Sequence, residues 1–201
     1  MKEGVYGIQS FKMQNAATNG FPSSWASAYE LKAIVKDSFS YNDSESSEND
    51  IEVEDMDNFY ASLPSSLATK GFTIQTYDMG EDTYKYLAGY TENQTSGFFE
   101  ETPGHALGNQ AVQVITKAFA DFPSKTFEWA NLAVKITRTG NIGKSGFPNF
   151  QITFKQLVLT DANGDEIAGA RWKYTETASN DTVVTDGTQN AEGDGTQTSN
   201  P

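Results

Sequence analysis

The sequence predicts a mainly β, α+β fold: an antiparallel β-sandwich or barrel-like subunit with one short flanking helix. Three observations predict it. Runs of period-2 alternation recur between Tyr29 and Tyr174, separated by clusters of Gly, Pro, Asn, Asp and Ser. Aromatic residues make up 12% of the chain beside 17 Gly, the mixture that many short strands and turns need. Only one stretch, Glu81 to Ala88, changes to helical spacing. At 201 residues the chain is long enough for one domain with a full core.

Residues 1–28 mix isolated apolar side chains with Gly, Asn, Ser and Pro22, hold no period for long, and read as an N-terminal arm that covers another surface. The domain proper is expected over 29–174. Tyr29, Leu31, Ala33 and Val35 alternate with Glu30, Lys32 and Lys36, a strand with one face buried. Residues 38–50, rich in Ser, Asn, Asp and Glu, read as a mobile projecting loop. A short second strand follows, with Ile51 and Val53 on one side and Asp50, Glu52 and Glu54 on the other. Met56 to Lys70 reads as a connection.

Phe72, Ile74 and Thr76 give a third strand. For the helix, Glu81 and Asp82 sit in the first turn, where the helix dipole favours acids, and Gly89 follows its end. Residues 90–109 have loop composition. A fourth strand spans Ala111 to Phe119. In the fifth, Phe127 and Trp129 share one parity and Leu132, Val134 and Ile136 the other, so a bulge is expected near Ala130 and Asn131. A Gly-rich loop over 139–149 leads to a sixth strand from Phe150 to about Leu159. After a tight turn at Asp161–Asp165, a last strand carries Ala168, Ala170, Trp172 and Tyr174 on one face. Residues 175–201 hold no Lys, Arg or aromatic residue and are expected to be a disordered acidic tail.

The net charge of -13 argues against gripping nucleic acid, which needs clustered Lys and Arg. The absence of Cys excludes disulfides and thiolate metal sites. Neither a signal peptide nor a membrane span is visible.

Four motifs invite chemistry and are weak. GNIGKSG, residues 140–146, lacks the first Gly of a phosphate loop, since Arg138 stands there, and no helix follows. Asp161, Asn163 and Asp165 resemble the start of a calcium loop, but Glu166 and Trp172 occupy the positions of the obligatory Gly and acid. Asp50, Glu52, Glu54, Asp55 and Asp57 are spread by strand alternation, with no His to gather them around a metal. His105, the only histidine, has no nucleophile context beside it. No catalytic set can be assembled, so neither an enzyme nor a cofactor is expected.

The stretches DIEVEDMDNFYASLP, KGFTIQTYDMGEDTYKYLAGY and FADFPSKTFEWANLAVKITRTGNIGKSGFPNFQITFKQL, with GARWKY, resemble a major tail tube protein of long-tailed, siphovirus-like bacteriophages over about residues 29–174. The resemblance implies a structural virion protein whose sheets join six subunits in a ring. Rings stack into a hollow tube that DNA transits without specific binding. The implied partners are further copies of the chain and the tape-measure, tail-tip and terminator proteins. The implied place is the virion tail, assembled in the host cytoplasm. Arm and hairpin loop would make ring-to-ring contacts, which marks Tyr6, Phe11, Phe21, Trp25, Phe39 and Tyr41. Asp50, Glu52 and Glu54 are candidates for the lumen face, where negative charge repels phosphate; alternatively they pair with Lys32 and Lys36 across the hairpin. A competing reading is a carbohydrate- or surface-binding β-sandwich that displays Trp129, Trp172 and Tyr174.

Overall fold

The computed structural model describes residues 5–51, 61–66, 68–120, 122–143 and 146–177, with backbone alone over 47–51 and 61–66. The fold is mainly β, as expected, with one helix among the described residues. In chain order the strands are β1 (Tyr6–Asn15), β2 (Tyr29–Glu30), β3 (Ser40–Tyr41), β4 (Ser47–Ile51), β5 (Ala61–Ser66) and β6 (Gly71–Thr76). After helix α1 (Glu81–Ala88) come β7 (Tyr90–Glu92), β8 (Phe99–Glu101), β9 (Gln110–Lys117), β10 (Ser124–Thr139), β11 (Asn149–Gln156) and β12 (Trp172–Thr177). The main sheet runs β2-β1-β9-β10-β11-β6-β3, with β12 on β10.

That sheet closes on itself. Residues 29–30 pair with β1, and the Leu31 N–H donates to the Phe11 carbonyl. A few residues later Ile34 bridges Thr76, and the Val35 N–H donates to the Gln75 carbonyl of β6. One short segment therefore ties the first strand of the barrel to the last and covers part of each edge. The predicted alternation over 29–36 fails because this crossing bends the chain: Ala33 (φ 44°) and Asp37 (φ 58°) leave the extended region.

The core fills the barrel with Phe11 and Met13, Phe72 and Ile74, Val112 and Val114, Trp129 and Leu132, and Phe150, Ile152 and Phe154. Phe72 stands at its centre, with ring centroids 4.7 Å from both Trp129 and Phe154. The expected bulge in β10 is present. Trp129 pairs with Val112 and Leu132 with Gln110, so one extra residue on β10 brings both parities inward.

The N-terminal arm is not an arm over Tyr6–Asn15. That stretch is β1, paired through eight positions with β9, and Phe11 is 0% exposed. Its apolar period is too short to read, because only Phe11 and Met13 are buried among polar neighbours. The predicted loop over 38–50 and the predicted connection over 56–70 are, where described, the two sides of one hairpin. Its ladder runs from Ser40 opposite Thr73, through Ser44 opposite Thr69, to Ile51 opposite Ala61. Residues 52–60 lie outside the described residues. Within 90–109, expected to be loop, β7 pairs with β8. The last strand begins at Trp172 and continues to Thr177, past the expected boundary at Tyr174.

Candidate assembly surfaces

β12 lies against the first half of β10, Ser124–Trp129, while β11 takes the second half from Leu132 onward. The register Trp129 opposite Trp172 and Phe127 opposite Tyr174 puts all four rings on the inward face of the sheet. Trp129 has the core above it. Trp172 and Tyr174 have less: they stack on each other at 6.1 Å, Tyr174 also meets Phe127 at 6.0 Å and the Lys125 ammonium at 5.8 Å, and the two remain 44% and 53% exposed. Every residue of β12 is exposed, and its second edge has no strand partner among the described residues. Across a cleft of about 250 Å³ stand Tyr41, Asp43, Lys70 and Gln156. An uncovered aromatic face beside an open strand edge is the form of surface that another chain covers. Among the aromatic residues weighed for a sugar platform, Trp129 is thus core, and Trp172 and Tyr174 are surface.

Charge is distributed unevenly. Residues 37–69 hold nine acids and no Lys or Arg, and residues 175–201 hold five acids and no Lys or Arg. The rest of the chain sets 14 Lys and Arg against 13 acids. The rest of the sequence is therefore near neutral, and residues 37–69 and 175–201 carry the excess negative charge. Asp50 is on β4 opposite Ser62 of β5, so its cross-strand neighbour is not Lys32 or Lys36; Glu52 and Glu54 lie outside the described residues.

The six aromatic contact candidates separate. Phe11 is core and unavailable to a partner. Tyr6 is exposed and stacks on exposed Phe119 at 4.4 Å. Phe21 is half-buried under the Lys173 ammonium, 4.4 Å from the ring centre. Trp25 is half-buried in a turn closed by the Ala28 N–H. Phe39 stacks on Phe72 at 5.0 Å and meets Tyr41 edge-on, leaving Tyr41 exposed at the start of the hairpin.

No protein-family model matches the sequence, and comparison with curated proteins gives no match. Among solved structures the chain is similar to one described as "Structure of a type six secretion system protein". The identity is 12% and the TM-score 0.30, over 83% of this chain and 94% of that one. A likeness this loose decides neither fold nor role.

A cavity of about 930 Å³ lies between residues 28–32 and α1. The Tyr29 and Thr83 hydroxyls are 2.7 Å apart, and Thr83 donates to Asp78 Oδ2 at 2.7 Å. Tyr29 stacks on Tyr86 at 4.2 Å, and the Tyr86 hydroxyl donates to Gln110 Oε1 at 2.8 Å. Burial, and then the field of Tyr29, push the Tyr86 phenol up to about 12. Burial likewise raises Tyr29, partly opposed by the Thr83 hydrogen bond. The arrangement seats the helix, with Thr83 and Leu87 buried, against the core.

The weaker motifs take structural places. Gly140 has φ 85° at the start of the β10–β11 connection, which leads into a strand; Lys144 and Ser145 lie outside the described residues. Asp161 Oδ1 accepts the N–H groups of Asn163 and Asp165, so the turn uses this carboxylate oxygen itself. Among the described residues no group of three His, Asp or Glu is placed to hold a metal ion. The His105 ring packs on Gly89, the left-handed residue that ends α1: a Cβ there would come 2.1 Å from His105 Cγ. Sequence reasoning missed β12 as an open edge, although the exposed parity of Trp172 and Tyr174 beside a highly polar C-terminal stretch was a signal for it.

Proposed function

We propose that this chain is a structural subunit that self-associates through open strand edges into rings, and that the rings stack as a phage tail tube that DNA transits. One observation carries the reading: β12 offers an edge without a strand partner among the described residues and two exposed aromatic rings, Trp172 and Tyr174, on the same sheet that forms the core. A neighbour's strand added there continues the sheet between subunits and buries both rings. The second support is the hairpin over 40–51 and 61–73, a ribbon extended from the barrel and suited to reach a further copy. In this reading Asp50 and its sequence neighbours Glu52 and Glu54 repel phosphate where they face the channel, so that a duplex slides without sticking. The tape-measure, tail-tip and terminator proteins are the further partners of this reading, and the virion tail its location.

The cleft that sets Trp172 beside Asp43, Lys70 and Gln156 also favours a second reading, a sugar-binding surface. Sedimentation of the full chain against a Trp172→Glu variant separates the two. Self-association in the parent and a loss of at least tenfold in the variant support assembly. A parent that stays monomeric while binding oligosaccharides on an array supports the sugar surface.

A further inference from the structure

The barrel seam opens at one place. The pairing of β1 with β2 involves Lys12 and Met13, and after the Phe11–Leu31 bond the two segments diverge, residues 33–35 leaving to pair with β6. Residues 6–10 of β1 consequently have β9 on one side and no strand on the other among the described residues. A groove of about 670 Å³ lies along this open edge, walled by Val5, Tyr6, Ile8, Ile34, Val35 and Phe39. Lys36 and Lys117 stand on its rim with one acid, Asp37, and neither lysine has an ion-pair partner among the described residues.

We propose that the chain's own C-terminal segment crosses from the end of β12 and lays its run at residues 182–186 into this groove as an added strand on β1. This inference stands apart from the assembly reading, because it concerns one chain. Three observations select the occupant. The first is where β12 ends: Thr177 pairs with Ser124, whose hydroxyl donates to the Thr116 carbonyl, one residue from Lys117. Lys117 in turn pairs with Tyr6 in the groove wall. Two strand spacings, about 10 Å, thus separate the end of β12 from Lys117 and four, about 19 Å, from a strand added outside β1, and the seven residues from 178 to 184 span about 23 Å when extended. The second is composition: Thr182, Val183, Val184 and Thr185 form a β-branched run, the residues that suit an added strand beside an apolar wall. The third is charge. Asp181 and Asp186 flank that run, and residues 178–201 hold no Lys or Arg, complementary to Lys36 and Lys117.

The absence of cysteine makes the test clean. Val5→Cys combined with Val184→Cys, oxidised in dilute full-length protein, is expected to give a disulfide within one chain. Its yield should fall several-fold when Lys36→Glu and Lys117→Glu are added. The control pair Ser96→Cys with Val184→Cys should give little. A disulfide mainly between two chains would mean that a second copy fills the groove, and would overturn the proposal, as would equal yields in test and control pairs. Amide exchange on the unaltered chain gives an independent reading. Residues 181–186 are expected to exchange about tenfold slower than a free peptide in dilute buffer and to lose that protection in about 1 M salt. Free-peptide rates in both conditions would refute the assignment.

Discussion

Trp129 and Trp172 face each other across the ladder of β10 and β12, yet Trp129 is 6% exposed and Trp172 44%. The two indoles sit on the same side of one sheet; what differs is whether the barrel folds over them. Trp129→Ala empties a site against Phe72 and is expected to destabilise the domain by about 3–5 kcal/mol. Trp172→Ala is expected to change stability by no more than about 0.5 kcal/mol while weakening self-association. Urea midpoints and sedimentation of both variants check the contrast.

Gly71 opens β6 against Lys155 of β11, and a Cβ there would come 2.1 Å from the Phe154 carbonyl oxygen. Gly71→Ala must push two core strands apart and is expected to cost about 1–3 kcal/mol. A melting temperature unchanged from the parent would contradict the close approach.

Tyr86 holds Gln110, a fully buried side chain whose amide nitrogen is already engaged by Asn15 and the Gly108 carbonyl. Tyr86→Phe leaves Gln110 Oε1 without its donor and is expected to cost about 1–3 kcal/mol. The same phenol sets an alkaline limit. Its pKa rises from 10.0 to about 12 in the fold, so the folded state keeps the proton longer than the unfolded chain. Its stabilising contribution is complete below pH about 10 and is lost as pH climbs towards about 12. Stability measured across that window should fall less steeply in Tyr86→Phe than in the parent.

How far the fold is legible depends on where apolar residues reveal a period. The helix at Glu81–Ala88 and the bulge after Trp129 are readable because several buried residues keep or change phase within a few positions. β1 is hidden because its two core residues, Phe11 and Met13, sit among Ser, Lys and Gln. The hairpin over 40–51 and 61–73 is hidden because Ser, Asn, Asp and Glu dominate its outgoing side, so backbone pairing organises it where sequence periodicity is silent. The strand signal at 29–36 misleads, since the alternation is real at Tyr29 and Leu31 but the chain turns at Ala33 to close the barrel. For the surfaces, Tyr41, Trp172 and Tyr174 are visible as aromatic residues, but which rings the core covers is decided by the register of β10 with β12.

Charge reversal in the acidic segment tests the proposed channel. Replacing Asp50, Glu52 and Glu54 together by Lys is expected to leave the thermal midpoint of the barrel unchanged and to make assembled particles retain DNA in a salt-dependent way. Equal DNA retention by parent and variant tubes would remove these residues from the channel face.

The central claim is that the open edge of β12 makes this chain a self-assembling conduit. Negative-stain electron microscopy of the purified full-length protein over a rising concentration series, with mass from light scattering, tests it most directly. Closed rings of six or hollow tubes are the expected result. Particles of monomer mass at every concentration, unchanged when a tail-tip complex is added as a seed, would contradict it.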